Sequence, residues 1–188
     1  MLPHWQDIGY LLAGSLAQQA AYRTLQRHAI LPLLHAYKPI LVGTFPLDIA
    51  IASSDLDIIC EVHNFLAFSQ LAAQHFEHCP GYAARHVQLG SLASLVISFQ
   101  LDGMEVEVFG QPLATEQQNG YRHMVVEARL LAIGGPVFKE NIIHLKTQGL
   151  KTEPAFAALL SLSGDAYQAL LRLELATDAE LASLLPPC

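Results

Sequence analysis

The chain has 188 residues, of which 52% are hydrophobic and 14% charged, a composition typical of a globular domain and not of a disordered chain. Its formal net charge is −7 and it has no run of Lys or Arg, which argues against a surface that binds the backbone of long DNA or RNA. No apolar stretch reaches the roughly 18–20 residues that span a bilayer, and the first residues lack the basic and apolar regions of a signal peptide, so we expect a cytoplasmic protein.

The first third of the chain, up to residue 37, is predicted to be helical. Ser15 is suited to cap a helix, and Pro32 suits the first turn of another. Pro39 ends this region, and residues 40–42 form a short buried strand that stops at Gly43. Residues 55–60 make the next strand, and Asn64 is suited to cap a helix over 65–76.

The second half contains two strands followed by helices. The strands cover residues 94–99 and 104–109, and Asp102-Gly103 between them is a hairpin signal. A helix over 118–133 ends at Gly134-Gly135, Pro136 can start the next, and short helices follow near 154–160 and 165–174, before Pro186-Pro187. This order predicts one α+β domain over 1–188, with a core at about 38–134 and a helical C-terminal part at about 135–188.

The three cysteines are Cys60, Cys79 and Cys188, too few and too irregular for a disulfide framework. Cys60 is expected to be buried in a strand, and Cys188 to lie at a frayed end. His75, His78 and Cys79 could ligate zinc, but the sequence offers no fourth ligand at a suitable spacing. We therefore favour the end of an exposed helix for this stretch.

Paired acids recur on two of the predicted strands. Because side chains alternate along a strand, Asp55 and Asp57 share one face, as do Glu105 and Glu107. Two such charges about 4 Å apart repel by about 1 kcal/mol in water and by more near a protein surface. A bound cation would compensate them, and Mg²⁺ prefers carboxylate oxygens together with substrate phosphates. The alternative is the solvated face of a half-exposed antiparallel strand.

Gly43-Thr44, before the Asp pair, favours the metal interpretation. A glycine at the end of a strand lets a phosphate approach the backbone, and the threonine offers a hydroxyl and an amide as hydrogen-bond donors. If a helix began after this turn, its dipole would add to the attraction. Phosphate donors and metal-binding carboxylates would then lie side by side on neighbouring strands.

With these residues the sequence resembles the polymerase-β-like nucleotidyltransferase superfamily. The pattern of that superfamily is an apolar residue, Gly, Gly or Ser, a spacer, Asp-apolar-Asp/Glu-apolar, and later a third acid between apolar residues. This chain has Val42-Gly43-Thr44, a spacer over 45–54, Asp55-Leu56-Asp57-Ile58, and Val106-Glu107-Val108. The family has Ser where this chain has Thr44, and usually Asp where it has Glu107. Glu105, on the same face, is the alternative third acid.

The resemblance implies a mixed or antiparallel central sheet flanked by helices, with further helices at the C-terminus. It also implies an enzyme that transfers a nucleoside monophosphate from a nucleoside triphosphate, most simply ATP, to a hydroxyl group. Two Mg²⁺ ions would be held by Asp55, Asp57 and Glu107, which are also the catalytic residues. The nucleotide would contact Gly43, Thr44, Ser54, His123 and Lys151. The acceptor would be a small molecule or a protein side chain.

The chain also looks like a bacterial branch of this superfamily, a domain of unknown function. The stretches that carry this likeness are Gly43-Thr44-Phe45-Pro46-Leu47, Ser54-Asp55-Leu56-Asp57-Ile58-Ile59-Cys60, Glu107-Val108-Phe109-Gly110-Gln111 and Gly149-Leu150-Lys151-Thr152-Glu153-Pro154-Ala155-Phe156. The likeness brings no known substrate. A non-catalytic nucleotide-binding module, or one half of a toxin–antitoxin-like pair, on the same fold is the alternative.

Two groups of supporting residues have alternative roles. His123 and Glu127 are four residues apart and share a helix face, where His123 could contact a nucleotide, although a helix–helix contact is the favoured interpretation. Lys151 could neutralise phosphate charge or favour a helix end. For Lys146 we favour the helix end.

Overall fold

The structure is a computed structural model that describes residues 5–186, and within them a five-stranded sheet occupies the middle of the chain. The strands are β1 (Ile40–Val42), β2 (Leu56–Glu61), β3 (Ala83–Leu89), β4 (Leu92–Leu101) and β5 (Met104–Gln111). Their spatial order is β1-β2-β5-β4-β3. Only β2 and β5 pair in parallel, and the other neighbours are antiparallel. The predicted α+β fold with a mixed central sheet is confirmed.

Helices precede, interrupt and follow the sheet. The α-helices are α1 (Leu16–Arg27), α2 (Ile30–Leu33), α3 (Phe65–Phe76), α4 (Asn119–Thr147), α5 (Thr152–Leu159), α6 (Ala166–Leu171) and α7 (Asp178–Leu184). Short 3-10 helices lie at Ile8–Ala13, His35–Tyr37, Thr115–Gln117 and Arg172–Leu175. None of the helices within 5–186 is long and apolar enough to cross a membrane.

Local sequence signals explain several helix boundaries. Ser15 and Gln18 form a capping box at the start of α1, and the Asn64 side chain accepts a hydrogen bond of 3.0 Å from the amide of Ala67 at the start of α3. α4 is interrupted at Gly135, where φ is 68° and ψ is −165°. The predicted break at Gly134-Gly135 is therefore present, and Pro136 begins the second segment.

The alternation of side chains divides the core into two layers. Leu56, Ile58, Val106 and Val108 point to one face of the sheet, where they pack with residues of α1 and α3. The opposite face carries Ile59 together with residues of α4, α5, α6 and α7. Asp57 and Glu107 belong to this second face by strand periodicity, so the C-terminal helices lie over the acids.

Three features differ from the sequence-based expectation. Edge strand β3 was not predicted, because its residues are exposed on both faces and show no apolar alternation. β2 begins at Leu56, so Asp55 lies just before the strand and not within it. The last helix, α7, was also missed; Thr177 and Glu180 form its capping box. Cys188 lies outside the described residues.

A substitution at Gly110 in β5 would test how tightly the sheet packs against α3. A Cβ atom there would lie 2.8 Å from Val62 Cγ2 and 3.0 Å from Phe68 Cε1. We expect Gly110→Ala to lower the free energy of unfolding by about 1–3 kcal/mol through overpacking.

Gly120 in α4 is the matched control, because a Cβ atom there meets Ile59 and Val42 at an ordinary 3.5 Å. Gly120→Ala should leave stability unchanged or raise it by up to about 1 kcal/mol. Urea unfolding of both variants measures the difference. Equal stability of the two would show that the contact at Gly110 is looser than the structure describes.

Candidate functional site

Parallel pairing of β2 with β5 brings the predicted acids together. Asp57 and Glu107 are direct neighbours in the register of these two strands, and Val42 of β1 pairs with Asp57 on the other side. In parallel strands, residues paired in this way point to the same face of the sheet. Two carboxylates and the end of β1 therefore meet at one place.

Gly43 makes close contact with this pair of acids possible. Its φ is +76°, and a Cβ atom built on it would lie 2.5 Å from Asp57 Oδ2. Any side chain would thus collide with the carboxylate as well as strain the backbone. The glycine lets Asp57 lie directly against the turn that follows β1.

Thr44 presents a buried hydroxyl that has no hydrogen-bond partner within the described residues. The residue is 9% exposed, and its carbonyl accepts a hydrogen bond from the amide of Ile49, which holds the turn closed. A buried hydroxyl without a partner costs free energy, and a ligand oxygen would remove that cost. Residues 43–48 form turns and no helix begins there, so the helix dipole considered above does not contribute.

A second turn positions Asp55. The amide of Ser54 donates to the carbonyl of Ile51, and the amide of Ile51 donates to the Ser54 hydroxyl oxygen, both at 2.9 Å. These two bonds fix residues 51–54 in front of β2. The Ser54 side chain therefore has a structural task in the turn.

Glu107 has a basic partner that the sequence did not indicate. Arg85 of edge strand β3 donates to Glu107 Oε2 at 3.2 Å, and the Arg85 side chain remains 63% exposed. An ion pair this exposed contributes little free energy and is easily exchanged for another partner. The pairing went unpredicted because β3 itself was not expected.

The electrostatic cost of crowding appears in the pKa of both carboxyls. Burial raises the pKa of Asp57 well above its ordinary value, and the nearby charges of Asp55 and Glu107 raise it further. Burial also raises the pKa of Glu107, which Arg85 partly offsets. The unliganded protein thus holds a repulsive arrangement that a cation would relieve.

One cavity of about 1100 Å³ collects the predicted site residues. Its lining includes Gly43, Thr44, Ser54, Asp55, Asp57, Glu107, His123 and Lys151. Glu105, the alternative third acid, lines a different cavity. Glu107 thus lines the same cavity as the Asp pair, whereas Glu105 does not.

Within residues 5–186, no three His, Cys, Asp or Glu side chains are grouped closely enough to hold a metal ion by themselves. This holds for His75, His78 and Cys79 as well as for the acids of the cavity. An ion bound by the acids of the cavity would need further oxygen ligands from water or a substrate.

The helices over the sheet supply the other wall. His123 Nε2 lies 3.0 Å from the Tyr167 carbonyl oxygen, and its Nδ1 lies 3.5 Å from Glu153 Oε1. The favoured helix–helix contact of His123 is thus present, and it links α4 to α5 and α6. Lys151 lies at the start of α5 on the cavity wall.

Two buried titratable side chains in this wall, Lys146 and Glu127, were not assigned to the site from the sequence. Lys146 Nζ donates to the Ile49 carbonyl at 2.9 Å, and burial lowers the pKa of Lys146 to about 8. Glu127 is 2% exposed, its Oε1 has no partner within the described residues, and burial raises its pKa. For Glu127, the helix face that it shares with His123 was the sequence signal that could have placed it in this wall. For Lys146 there was no such signal, because in the sequence it looks like any lysine at a helix end.

This chain belongs to the family described as domain of unknown function DUF4269, whose model matches residues 23–173. No curated protein matches the sequence at a significant level. Among solved structures, the polymerase core of TRAMP, an RNA surveillance complex, is similar with a TM-score of 0.50 and 13% identity over 94% of this chain and 60% of that chain.

Cid1 poly(U) polymerase bound to Mg 3′-dATP gives a TM-score of 0.49 at 9% identity, over 89% of this chain and 54% of that chain. Cid1 bound to MgATP gives 0.49 at 11% identity, over 82% and 47%. The chain thus spans only about half to three fifths of the solved chains it matches. The TRAMP likeness shows a nucleotidyltransferase-like fold.

The raised pKa of Asp57 predicts how stability depends on pH when no metal is present. A carboxyl whose pKa is raised by folding stabilises the folded state below its unfolded value of about 4, and this contribution is lost as pH rises through the folded value. Asp57→Asn cannot ionise, so we expect it to be more stable than the wild type at pH 7–8, by a margin that shrinks toward pH 4.

Urea unfolding in EDTA from pH 4 to 8 measures this margin. Asp178→Asn, at a surface pair with Arg129, controls for the amide substitution itself. A margin for Asp57→Asn that stays constant or grows toward acid pH would contradict the account.

Proposed function

We propose that this protein, whose family has no assigned function, is a Mg²⁺-dependent nucleotidyltransferase. It would transfer a nucleoside monophosphate from a nucleoside triphosphate, ATP being the first candidate, to a hydroxyl of a small molecule or a protein. The observation that carries the proposal is the register of Asp57 and Glu107 beside the Gly43 turn. The same cavity contains the Thr44 hydroxyl, which has no partner within residues 5–186.

The residues present fit magnesium and a triphosphate. Asp55, Asp57 and Glu107 offer the hard oxygen ligands that Mg²⁺ prefers. Two bound ions would neutralise the negative charge of the phosphate tail and stabilise the attacking and the leaving oxygen. The Thr44 hydroxyl and the backbone at Gly43 would donate to phosphate oxygens, and Lys151 would add a positive charge at the cavity wall.

The chemical step is an in-line displacement at the α-phosphorus. The acceptor oxygen forms a bond to phosphorus while the bond to the bridging oxygen breaks and pyrophosphate leaves. Glu107 is the candidate to take the acceptor proton, because its raised pKa makes it a stronger base than an ordinary carboxylate. His123 would help to fix the helical wall through its contacts with α5 and α6.

The acceptor is proposed on electrostatic grounds. The TRAMP neighbour is the polymerase core of an RNA surveillance complex. This chain has a net charge of −7 and no basic run, which disfavours a long nucleic acid. A small molecule or a protein side chain remains the better acceptor. The cytoplasmic location and the bacterial origin remain predictions.

The ion pair between Arg85 and Glu107 favours one alternative. If Arg85 remained on Glu107 in the presence of nucleotide, the third acid would be unavailable, and the protein would bind nucleotide without transferring it. This is the non-catalytic module considered above. Metal-dependent binding without any turnover would identify it.

Substitution of the acids tests the main proposal. We expect Asp57→Asn and Glu107→Gln each to reduce Mg²⁺-dependent release of pyrophosphate from α-labelled ATP by roughly 100-fold, because each removes charge stabilisation from the transition state. Glu105→Gln should have a smaller effect than Glu107→Gln, since Glu105 lies outside the large cavity.

Glu140→Gln is the matched control, because Glu140 is exposed in α4 and does not line the cavity. The assay uses labelled ATP, CTP, GTP and UTP with a panel of hydroxyl compounds, and water as the default acceptor. Asp57→Asn with wild-type turnover would end the enzyme proposal.

Gly43→Ala tests the approach of the turn to Asp57. Its Cβ would lie 2.5 Å from Asp57 Oδ2, so the carboxylate must move away. We expect at least 10-fold weaker Mg²⁺–ATP binding by calorimetry, about 1.4 kcal/mol. Gly164→Ala, with φ +86°, an unobstructed Cβ and a position outside the cavity, controls for the backbone strain of a left-handed position. Equal affinities of the two variants would show that the close contact is irrelevant.

A further inference from the structure

A second cavity of about 460 Å³ adjoins the candidate site. It is lined by Ala17 of α1, by Phe45 and residues 50–54, and by Gln100, Gly103, Met104 and Glu105 around the β4–β5 turn. No residue of α4, α5, α6 or α7 is among these lining residues. Its volume lies within the range of about 300–1000 Å³ that is usual for small-molecule sites.

The two cavities share a wall. Ile51, Ser53 and Ser54 line both, and Asp55 follows directly. The reciprocal hydrogen bonds between Ile51 and Ser54 keep this wall in a fixed turn. A molecule in the small cavity would therefore lie beside the turn that precedes Asp55, at the boundary with the large cavity.

The two cavities differ in the cationic side chains that line them. Lys146, Lys151 and Tyr167 line only the large cavity, which has the cations suited to a phosphate tail. An in-line displacement needs the attacking oxygen and the leaving pyrophosphate on opposite sides of the α-phosphorus. The small cavity meets the large one at the 51–54 turn, and neither Lys146 nor Lys151 lines it. It could therefore hold an acceptor while these cations hold the phosphate tail.

The lining of the small cavity favours one class of compound. Among the described residues that line it, Glu105 is the only ionisable one, and Gln100 is its partner in the register of β4 and β5. Ala17, Phe45 and Met104 provide apolar contact area. A single carboxylate with amide and apolar neighbours attracts a cation, accepts hydrogen bonds from hydroxyls, and repels an anion.

We propose that this cavity is the acceptor site, and that Glu105 selects a small, neutral or positively charged hydroxyl compound over a phosphorylated one. The inference rests on the proposed function. In the step it serves, the acceptor lies in the small cavity and its hydroxyl reaches past the 51–54 turn into the large cavity, which Glu107 lines. There the acceptor oxygen forms a bond to the α-phosphorus, its proton passes to Glu107, and the bond to pyrophosphate breaks. Both carboxylates thus act on the acceptor: Glu105 selects it and Glu107 takes its proton.

Three hydroxyl compounds of different charge probe the site: choline, glycerol and glycerol 3-phosphate, each at 100 mM with Mg²⁺ and labelled ATP. The expected order of adenylyl transfer by the wild type is choline, then glycerol, then glycerol 3-phosphate. We expect Glu105→Lys to lower the ratio of choline to glycerol 3-phosphate product at least fivefold, since one charge in contact changes from attractive to repulsive.

A filling variant tests the cavity independently of charge. Ala17 is exposed on α1 and lines the small cavity but not the large one, so Ala17→Phe should occupy it without disturbing the core. We expect at least 10-fold less transfer to choline and glycerol, with Mg²⁺–ATP affinity by calorimetry and pyrophosphate release to water within about twofold of the wild type. Ala13→Phe, also exposed but outside both cavities, is the control.

The outcomes separate this inference from the proposed function. Loss of transfer in Ala17→Phe together with a lower charge ratio in Glu105→Lys supports the acceptor site. Unchanged transfer in both variants, or no transfer to any of the three probes while ATP is turned over with water, overturns the acceptor site alone. No Mg²⁺-dependent turnover of ATP by the wild type overturns the proposed function.

Discussion

Asp57 and Glu107 repel each other, and yet the pairing of β2 with β5 keeps them as direct neighbours. A parallel pair of strands holds two carboxyls side by side, partly removed from water, with Asp55 at the strand entrance. Neighbouring like charges destabilise a sheet, and burial increases the cost. Hydrophobic packing on the opposite face, where Ile58 and Val108 are almost fully buried, offsets this cost and keeps the register.

The groups around the acids favour a site in which a bound ligand compensates the negative charge of the carboxylates. Gly43 leaves room for Asp57, and the Thr44 hydroxyl is buried without a partner among the described residues. Glu127 lines the same cavity, and its Oε1 is likewise buried and has no partner there. Arg85 neutralises Glu107 from an exposed strand that can readily release it. Two buried oxygens of different elements thus lack partners, within residues 5–186, in the cavity that contains the acids.

Much of the fold was predictable because local signals agreed with the tertiary structure. The cap at Asn64, the hairpin turn at Asp102-Gly103 and the break at Gly135 lie where their side chains or backbone angles require them. The positions of Asp57 and Glu107 on one face followed from strand periodicity, and that of Gly43 from its place after an apolar run.

The remaining features depend on contacts distant in sequence. β3 has no alternating pattern, and so Arg85 was not expected to reach Glu107. Lys146 resembles any lysine at a helix end until the Ile49 carbonyl, 97 residues earlier, is placed against it. The different positions of Glu105 and Glu107 could not be predicted without the bounds of β2. This strand begins at Leu56, which pairs with Val106, so Glu105 has no pairing residue in β2. The roles of the predicted residues remain predictions.

A crystal structure with Mg²⁺ and a non-hydrolysable ATP analogue would show whether these acids bind a metal–nucleotide complex. We expect electron density for Mg²⁺ on the carboxylates of Asp55 and Asp57, with the phosphate tail against the Gly43 turn and the Thr44 hydroxyl. A nucleotide bound elsewhere, or bound in the cavity while these two carboxylates contact no metal, would contradict this expectation.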